Sequence, residues 1–230
     1  MTRPIGLDRR RVLFGAAPAA ALTTAAVASC APRSGQAPAH DPLFFTAPEW
    51  AFVKAAVDRL IPADELGPGG LESGVAVFID RQLDGPWGHG AYFYMQGPFQ
   101  PDASPQLGYQ LKYDPRDLYR GGIAGADQAS RDARGEIFAD LDPAQQDAFL
   151  TALQAGKVTL KGPPSQAFFA QLLENTREGF FADPIYGGNR GMAGWRLIGF
   201  PGARADFTDW IDQAGVAYPY GPVGINGTRG

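Results

Sequence analysis

The stretch TAPEWAFVKAAVDRLI, residues 46–61, decides the kind of fold to expect from this chain. Thr46 and Glu49 have the spacing of a capping box, and a proline follows early in the first turn. Large side chains then recur at helical spacing at Trp50, Val53, Val57, Leu60 and Ile61. Because Pro62 cannot continue a helix, we expect an amphipathic helix that ends before it.

Four further segments carry the same pattern of apolar residues. They are residues 71–83, residues 131–141, residues 142–156 with Asp142 as the cap, and a segment that begins at Ser165. No alternating run is long enough to predict a strand. The sequence therefore predicts a mainly α fold, a compact helical domain of about five short helices.

Residues 85–125 and 180–230 are left without a predicted helix. Both are rich in aromatic side chains, which disordered segments lack. With 30 glycines and 20 prolines in the chain, we expect long Gly- and Pro-rich loops that pack on the helices. Within the second, DPIYGGNRGMAGWRLIGFPG, residues 183–202, has the pattern of neither helix nor strand. Its glycines predict left-handed backbone or the close approach of a partner.

The N-terminus has the features of an export signal. A charged start is followed by a weakly apolar stretch, and Asp8-Arg9-Arg10-Arg11-Val12-Leu13 fits the twin-arginine pattern through Arg9 and Arg10. We therefore assign residues 1–30 to a twin-arginine signal peptide, residues 31–45 to a flexible, proline-bearing tether and residues 46–230 to a single helical domain. The expected location is the periplasm, in association with the membrane.

Cys30 is the only cysteine, so the sequence predicts no disulfide within the chain. The preceding residues resemble a bacterial lipobox, in which the cysteine is acylated. The alternative is ordinary signal cleavage after Ala28, which leaves Cys30 without a lipid. Both interpretations stay open at this point.

Several classes of function are disfavoured by composition. A net charge of −4 and a pI near 5.2 give no basic surface for nucleic acid. With two histidines, His40 and His89, and one cysteine, the chain has no cluster for a metal centre. There is no C-x-x-C-H for haem and no Rossmann glycine motif after a strand. His89 lies between glycines near Trp87, a setting more typical of packing or an interface than of a catalytic base.

Several motifs resemble one known family. They are Leu60-Ile61-Pro62-Ala63-Asp64, Gly67-Pro68-Gly69, Gly74-Val75, Phe78-Ile79-Asp80, Tyr186-Gly187-Gly188-Asn189, Gly194-Trp195 and Ile198-Gly199-Phe200-Pro201-Gly202. They are similar to the small subunit, subunit 3, of gluconate 2-dehydrogenase. Residues 97–129 carry none of these motifs.

The resemblance implies an accessory subunit that is not an enzyme on its own and holds no cofactor. Its implied partner is a large GMC-type flavoprotein, which carries FAD and oxidises a sugar, a sugar acid or a polyol. A multihaem cytochrome c subunit with haem c is a further implied partner. The small subunit is implied to stabilise the flavoprotein and to carry it, already folded, through the twin-arginine translocase. Membrane association would come through a partner or a lipid anchor.

We expect residues 183–202, together with the first aromatic loop, to dock on the flavoprotein, because aromatic and arginine side chains are typical of interface cores. The expected interface residues are Trp87, His89, Tyr186, Gly187, Gly188, Asn189, Arg190, Trp195, Arg196 and Phe200. Alternatively, Asn189 and the glycines make internal turns, and the aromatics close the domain's own core. Two other functions stay open: a free lipid-anchored envelope binding protein, and a stand-alone sugar-modifying enzyme that uses the aromatic loops.

Overall fold

The computed structural model describes residues 40–230, and the residues of the predicted signal, including Arg9, Arg10 and Cys30, lie outside this range. The described chain forms six helices: α1 (Ala47–Leu60), α2 (Val75–Asp84), α3 (Pro115–Arg134), α4 (Pro143–Gln154), α5 (Ser165–Phe181) and α6 (Ala193–Ile198). Extended pairing within residues 40–230 is limited to isolated bridges. The prediction of a mainly α fold is therefore confirmed.

The predicted first helix, α1, lies at the centre of the helical body and contacts α2, α3, α4 and α5. The Thr46 N–H donates to the Glu49 carboxylate at 2.8 Å, as the capping-box spacing predicts. Phe52 is fully buried, and its ring centroid lies 4.6 Å from that of Phe138 and 6.0 Å from that of Phe168. The apolar face of α1 thus forms the middle of the core.

The segment before α1 is fixed to α2 by one carboxylate. Asp80 is fully buried and accepts hydrogen bonds from His40 Nε2 at 2.8 Å and from the backbone N–H groups of Leu43, Phe44 and Phe45 at 2.8, 3.0 and 3.2 Å. The last two side chains are 4% and 5% exposed and belong to the core. Residues 40–45, which the sequence assigns to the tether, therefore pack as part of the folded body.

Helix α3 is the largest element that the sequence did not predict. The loop expected over residues 85–125 is wrong from Pro115 onward, where a helix begins. Asp114 caps it by accepting from the Asp117 N–H at 2.7 Å. The glycines in its middle lower helix propensity and hide its apolar period.

Those glycines allow α3 to pack closely on its neighbours. A Cβ added to Gly122 would lie 2.3 Å from Phe168 Cδ2, and one added to Gly125 would lie 2.9 Å from Leu160 Cβ. The sequence GGIAG, residues 121–125, therefore serves close packing of helices rather than phosphate binding.

The helix predicted over residues 131–141 is also wrong. α3 ends at Arg134 and is followed by Gly135 in the left-handed region at φ 85°. Residues 138–140 form a single 3₁₀ turn, in which the Phe138 N–H donates to the Asp127 carboxylate at 3.1 Å. The apolar residues of this stretch hold a turn against α1 instead of forming a helix.

The other predicted helices are confirmed with shorter bounds. α2 begins at Val75 rather than at residue 71, because Gly74 precedes it in left-handed backbone at φ 80°. α4 starts at the predicted cap, where Asp142 accepts from the Gln145 N–H at 2.8 Å. α5 buries Phe168 and Leu172 against the core.

Both long loops pack on the helices or on themselves, as their aromatic content predicts. In the first, the Phe93 ring centroid lies 6.4 Å from that of Trp87 and 5.2 Å from that of Tyr109. After α6 the chain returns to the preceding segment, where the Ala203 N–H donates to the Val223 carbonyl at 2.7 Å. The last residues thus pack along residues 183–202.

Candidate partner interface

A groove of about 530 Å³ opens between α2, α5 and the residues that follow each helix. Its lining residues are Phe78, Gln82, Trp87, Asn175, Glu178, Phe181, Ala182, Asp183 and Tyr186. It brings together Trp87 and Tyr186, which belong to separate loops in the sequence. Phe181 and Tyr186 are 40% and 49% exposed, so the wall of the groove contains aromatic surface open to solvent.

The floor of the groove is a hydrogen-bonded polar network. The buried Tyr119 hydroxyl donates to Asn175 Oδ1 at 3.0 Å, and Asn175 Nδ2 donates to the Glu178 carboxylate at 2.8 Å. Partial burial raises the pKa of Glu178, and the negative charge of Glu174 adds to this, while the hydrogen bond from Asn175 lowers it. The groove therefore combines apolar walls with one acid, Glu178, which is exposed to solvent yet has a raised pKa.

The segment of residues 183–202 follows α5 and is anchored at its start by Asp183. This carboxylate accepts from the backbone N–H groups of Ile185 at 3.1 Å and Ile225 at 2.7 Å. The Asp183 side chain, which is 8% exposed, thus joins the segment to the C-terminal residues. The 3₁₀ turn over residues 184–186 places Tyr186 at the groove.

Asn189 organises the middle of the segment. It is fully buried with φ 44°, in the left-handed region that asparagine tolerates. Its Nδ2 donates to the Ala182 carbonyl at 2.9 Å, and its Oδ1 accepts from the Gly194 N–H at 2.9 Å. The side chain thus connects the residue that follows α5 to the first turn of α6.

Gly188 lies at a point of close approach, but to α5 of the same chain and not to a partner. A Cβ at this position would lie 2.1 Å from the Gly179 carbonyl oxygen, so only glycine fits against α5. Gly187 and Gly191 have φ values of 100° and 61° and supply the left-handed turns. These glycines serve contacts within the chain.

Trp195 also points inward. It is 6% exposed, and its Nε1 donates to the Phe181 carbonyl at 2.7 Å. Phe200 packs edge-on against it at 5.2 Å between ring centroids but stays 45% exposed. Trp195 therefore holds α6 on the end of α5 and supports Phe200 from below.

The surface of α6 is mostly apolar. Leu197 and Ile198 are 48% and 60% exposed, and Arg196 is exposed beside them. Leu197 shares a small hollow with Leu66, so the family-like motifs of residues 60–69 and 194–202 meet there. Of the ten expected interface residues, those that reach solvent here are Tyr186, Arg196 and Phe200, with Arg190 partly covered, while Gly187, Gly188, Asn189 and Trp195 are buried.

The first loop divides its two expected interface residues between different surroundings. Trp87 lines the groove and is partly buried against the core. His89 is exposed, and its Nε2 lies 2.6 Å from Arg116 Nη1 on α3, so the ring nitrogen accepts from the guanidinium. His89 does not line the groove.

Sequence reasoning did not single out several residues of the groove. Asn175 and Glu178 are three residues apart near the end of α5, and Phe181 and Ala182 follow them in the sequence. A polar stripe beside an exposed aromatic residue could have indicated a surface face. Phe78 and Gln82 could not be assigned to the groove from sequence, because this depends on how α2 packs beside α5.

Across residues 40–230, no group of three or more His, Cys, Asp or Glu side chains could hold a metal ion. In the same range, none of the helices has the length and apolar character to cross a membrane.

Comparison with known proteins gives one result. The family model for gluconate 2-dehydrogenase subunit 3 matches residues 47–202, which begin with α1 and end just after α6. A search of the curated proteins and a search of the solved structures each found no match. The matched region contains the groove, the segment of residues 183–202 and the apolar surface of α6, and this chain belongs to the gluconate 2-dehydrogenase subunit 3 family.

Proposed function

We propose that this chain is the non-catalytic small subunit of an FAD-dependent, gluconate 2-dehydrogenase-like complex and that it binds and stabilises the flavoprotein subunit. The observation that carries the proposal is the distribution of apolar surface. Of the 17 large hydrophobic side chains that are exposed in residues 40–230, 11 lie between Phe181 and Ile225. Six of these 11, from Phe181 to Phe200, lie in or next to the segment of residues 183–202, and an exposed apolar patch is typical of a protein–protein contact.

The proposed docking surface has two parts. The first is the groove with Trp87 and Tyr186, and the second is the apolar surface of α6 with Leu197, Ile198 and Phe200. Phe181 connects them, because it lines the groove and its carbonyl accepts from the Trp195 indole beneath Phe200. Rigid aromatic anchors in such a setting contribute strongly to binding.

The family supports a wider assignment of the complex. The flavoprotein would be of the GMC type, would carry FAD and would oxidise a sugar, a sugar acid or a polyol. A multihaem cytochrome c would pass the electrons onward. Because a flavoprotein acquires FAD in the cytoplasm, export of the folded pair through the twin-arginine signal at Arg9 and Arg10 fits this chemistry. The complex would be periplasmic and held at the membrane by a partner or by a lipid on Cys30.

The test is to purify the tagged full chain from membranes of its own host and measure bound flavin and sugar-dependent dye reduction. We expect the wild-type chain to bring a flavoprotein with it. Tyr186→Ala combined with Phe200→Ala should lose that flavoprotein, because both side chains reach solvent on the proposed surface. A wild-type chain that purifies without flavoprotein, or that oxidises the sugar alone, would overturn the proposal.

A matched control separates loss of binding from loss of folding. Tyr92 and Tyr94 are 73% and 75% exposed on the first loop and do not line the groove. Tyr92→Ala combined with Tyr94→Ala removes similar aromatic area and should leave the flavoprotein bound. Trp195 is unsuitable for this purpose, because a change there removes buried packing as well as surface.

A further inference from the structure

The side chains of Arg81 and Arg190 both lie near Gly187, next to the groove residue Tyr186. Arg81 precedes Gln82, a groove residue of α2, and Arg190 follows Asn189. A Cβ on Gly187 would lie 3.1 Å from Arg81 Nη1, and one on Gly74 would lie 2.6 Å from both Arg190 Nε and the Gly187 carbonyl oxygen. Both guanidinium groups therefore pack around Gly187, the residue that follows Tyr186 of the groove wall.

The backbone fixes where the second of these arginines lies. The Arg190 N–H donates to the Ser73 carbonyl at 2.9 Å, which ties the residue to the turn before α2. Left-handed backbone at Gly187 and Asn189 brings the chain back toward α2 between these points. The fold thus fixes the backbone of Arg190 beside the start of α2, while Arg81 is exposed on that helix and its side chain reaches the same place.

This pair has no carboxylate to balance it in the described part of the chain. The ion pairs there join His40 to Asp80, Arg59 to Asp147 and Arg120 to Glu49. Burial, and then the charge of Arg81, lower the pKa of Arg190, so the environment disfavours its positive charge. Residues 40–230 contain 15 Lys and Arg against 23 Asp and Glu, which makes a paired cationic spot a local exception on an acidic domain.

We propose that Arg81 and Arg190 bind a carboxylate side chain of the flavoprotein partner, while an apolar side chain of the same partner segment fills the groove beside Tyr186. The proposal deepens and rests on the proposed function. Two guanidinium forks suit a carboxylate, which accepts two parallel hydrogen bonds. A protein segment is favoured over a free anion because the adjoining groove is large, open and lined by Trp87 and Phe181, surface that a small anion would not use.

The experiment measures the Kd between purified flavoprotein subunit and variants of the small subunit, at low and high potassium chloride. Arg81→Gln with Arg190→Gln should raise Kd by roughly 30-fold or more at low salt, since truncating one side of a buried charge pair mainly accelerates dissociation. The Kd of the wild type should rise steeply with salt and that of the double variant only weakly. Arg190→Gln keeps the backbone bond to Ser73, and thermal melting checks that the variant is folded.

The matched control removes the same charge elsewhere. Arg134 and Lys157 line a second hollow beside α3 and α4, away from the groove residues. Arg134→Gln with Lys157→Gln should leave Kd within about twofold, because distant rim charges contribute little to affinity. Charge reversal tests for rescue. Arg81→Glu with Arg190→Glu should lose binding, and a lysine in place of the matching partner carboxylate should restore it.

The outcomes separate the two proposals. If the wild-type chain binds flavoprotein and the Gln double variant binds it with the same Kd and the same salt dependence, the arginine inference is overturned and the proposed function stands. If inorganic phosphate binds the isolated wild-type chain, fails to bind the double variant and does not compete with flavoprotein, the pair is a free-anion site and the inference is again overturned. If the wild-type chain binds no flavoprotein, the proposed function itself fails.

Discussion

The helical body buries large aromatic side chains, whereas the segment of residues 183–202 buries backbone at its glycines. In the body, the side chains of Phe52, Phe138 and Phe168 are fully buried. In the segment, Gly188 and its neighbours are buried, while Tyr186 is 49% exposed. A helix satisfies its own backbone hydrogen bonds and can turn large side chains inward, whereas an irregular segment must place its backbone against partners. The segment buries Trp195 on the end of α5 but presents Tyr186 and Phe200 to solvent.

Phe168→Ala tests the body side of this contrast and should have the largest effect. The ring touches Phe52 and Tyr119 and packs on the Cβ-free face of Gly122, so truncation leaves a cavity that its neighbours cannot fill. We expect the free energy of unfolding in urea to fall by about 3–5 kcal/mol. Tyr186→Ala should change it by less than about 0.5 kcal/mol. Similar losses from the two variants would contradict the contrast.

Gly188→Ala tests the segment side. Its Cβ would meet the backbone oxygen of Gly179 at 2.1 Å, so α5 or the segment has to move, and we expect a loss of about 1–3 kcal/mol in urea unfolding. Gly199→Ala is the matched change: φ there is 69° and nothing lies within 4 Å of the added atom, which leaves only backbone strain of about 1 kcal/mol. If Gly199→Ala were the more costly, conformation rather than close approach would explain the glycines of this segment.

The comparison also shows what the sequence could and could not predict. α1 and α4 were predictable because their caps and apolar periods agree, as the bonds of Glu49 and Asp142 show. α3 was not, because its packing on Phe168 requires glycines that weaken the helical pattern. Aromatic content alone indicated that the loops pack. It could not say that Trp195 lies inside and Phe200 outside, since that depends on the six-residue helix α6.

The same physics limits the prediction of the interface. Trp87 and Tyr186 could be singled out as aromatic residues in glycine-rich loops, but their shared groove exists only because α2 packs beside α5. Arg81 was not singled out, because it lies within a predicted helix and its neighbour Arg190 is distant in sequence. Side chains whose role depends on a tertiary neighbour carry no local signal.

Asp80→Asn sharpens the contrast, because Asp80 is a charged group inside the apolar body. Its two oxygens accept from His40 and from three backbone N–H groups, and an amide in the same place would turn an NH₂ toward one set of donors. We expect a loss of about 2 kcal/mol in the free energy of unfolding, the range for hydrogen bonds to a charged group. Asp84→Asn, an exposed position on the same helix, should stay within about 0.5 kcal/mol. An unchanged Asp80→Asn protein would mean that residues 40–45 are held by their aromatic packing alone.

Glu178→Gln should have the smallest effect, and its sign depends on pH. Burial raises the pKa of Glu178 above the usual 4.5, so the folded state favours the protonated acid. The contribution of the acid is fully present below about pH 4.5 and is lost as pH rises through the folded pKa, so the Gln variant should melt higher than wild type at neutral pH and equally near pH 4.

Asp147→Asn, on the helical body, should show the opposite dependence of melting temperature on pH. The hydrogen bond from Arg59 lowers the pKa of Asp147, so its contribution is present at neutral pH and lost as pH falls through the folded value. That variant should melt lower than wild type at neutral pH, by little because the pair is solvent-exposed, and the difference should vanish in acid. Melting curves between about pH 2 and pH 8 check both signs, because the contribution of Asp147 is lost only below its usual pKa of 3.8. If the melting-temperature difference from wild type changed with pH in the same direction for both variants, Glu178 would be as well solvated as the outer surface of α4. A partner that covers the groove would then gain nothing from this acid.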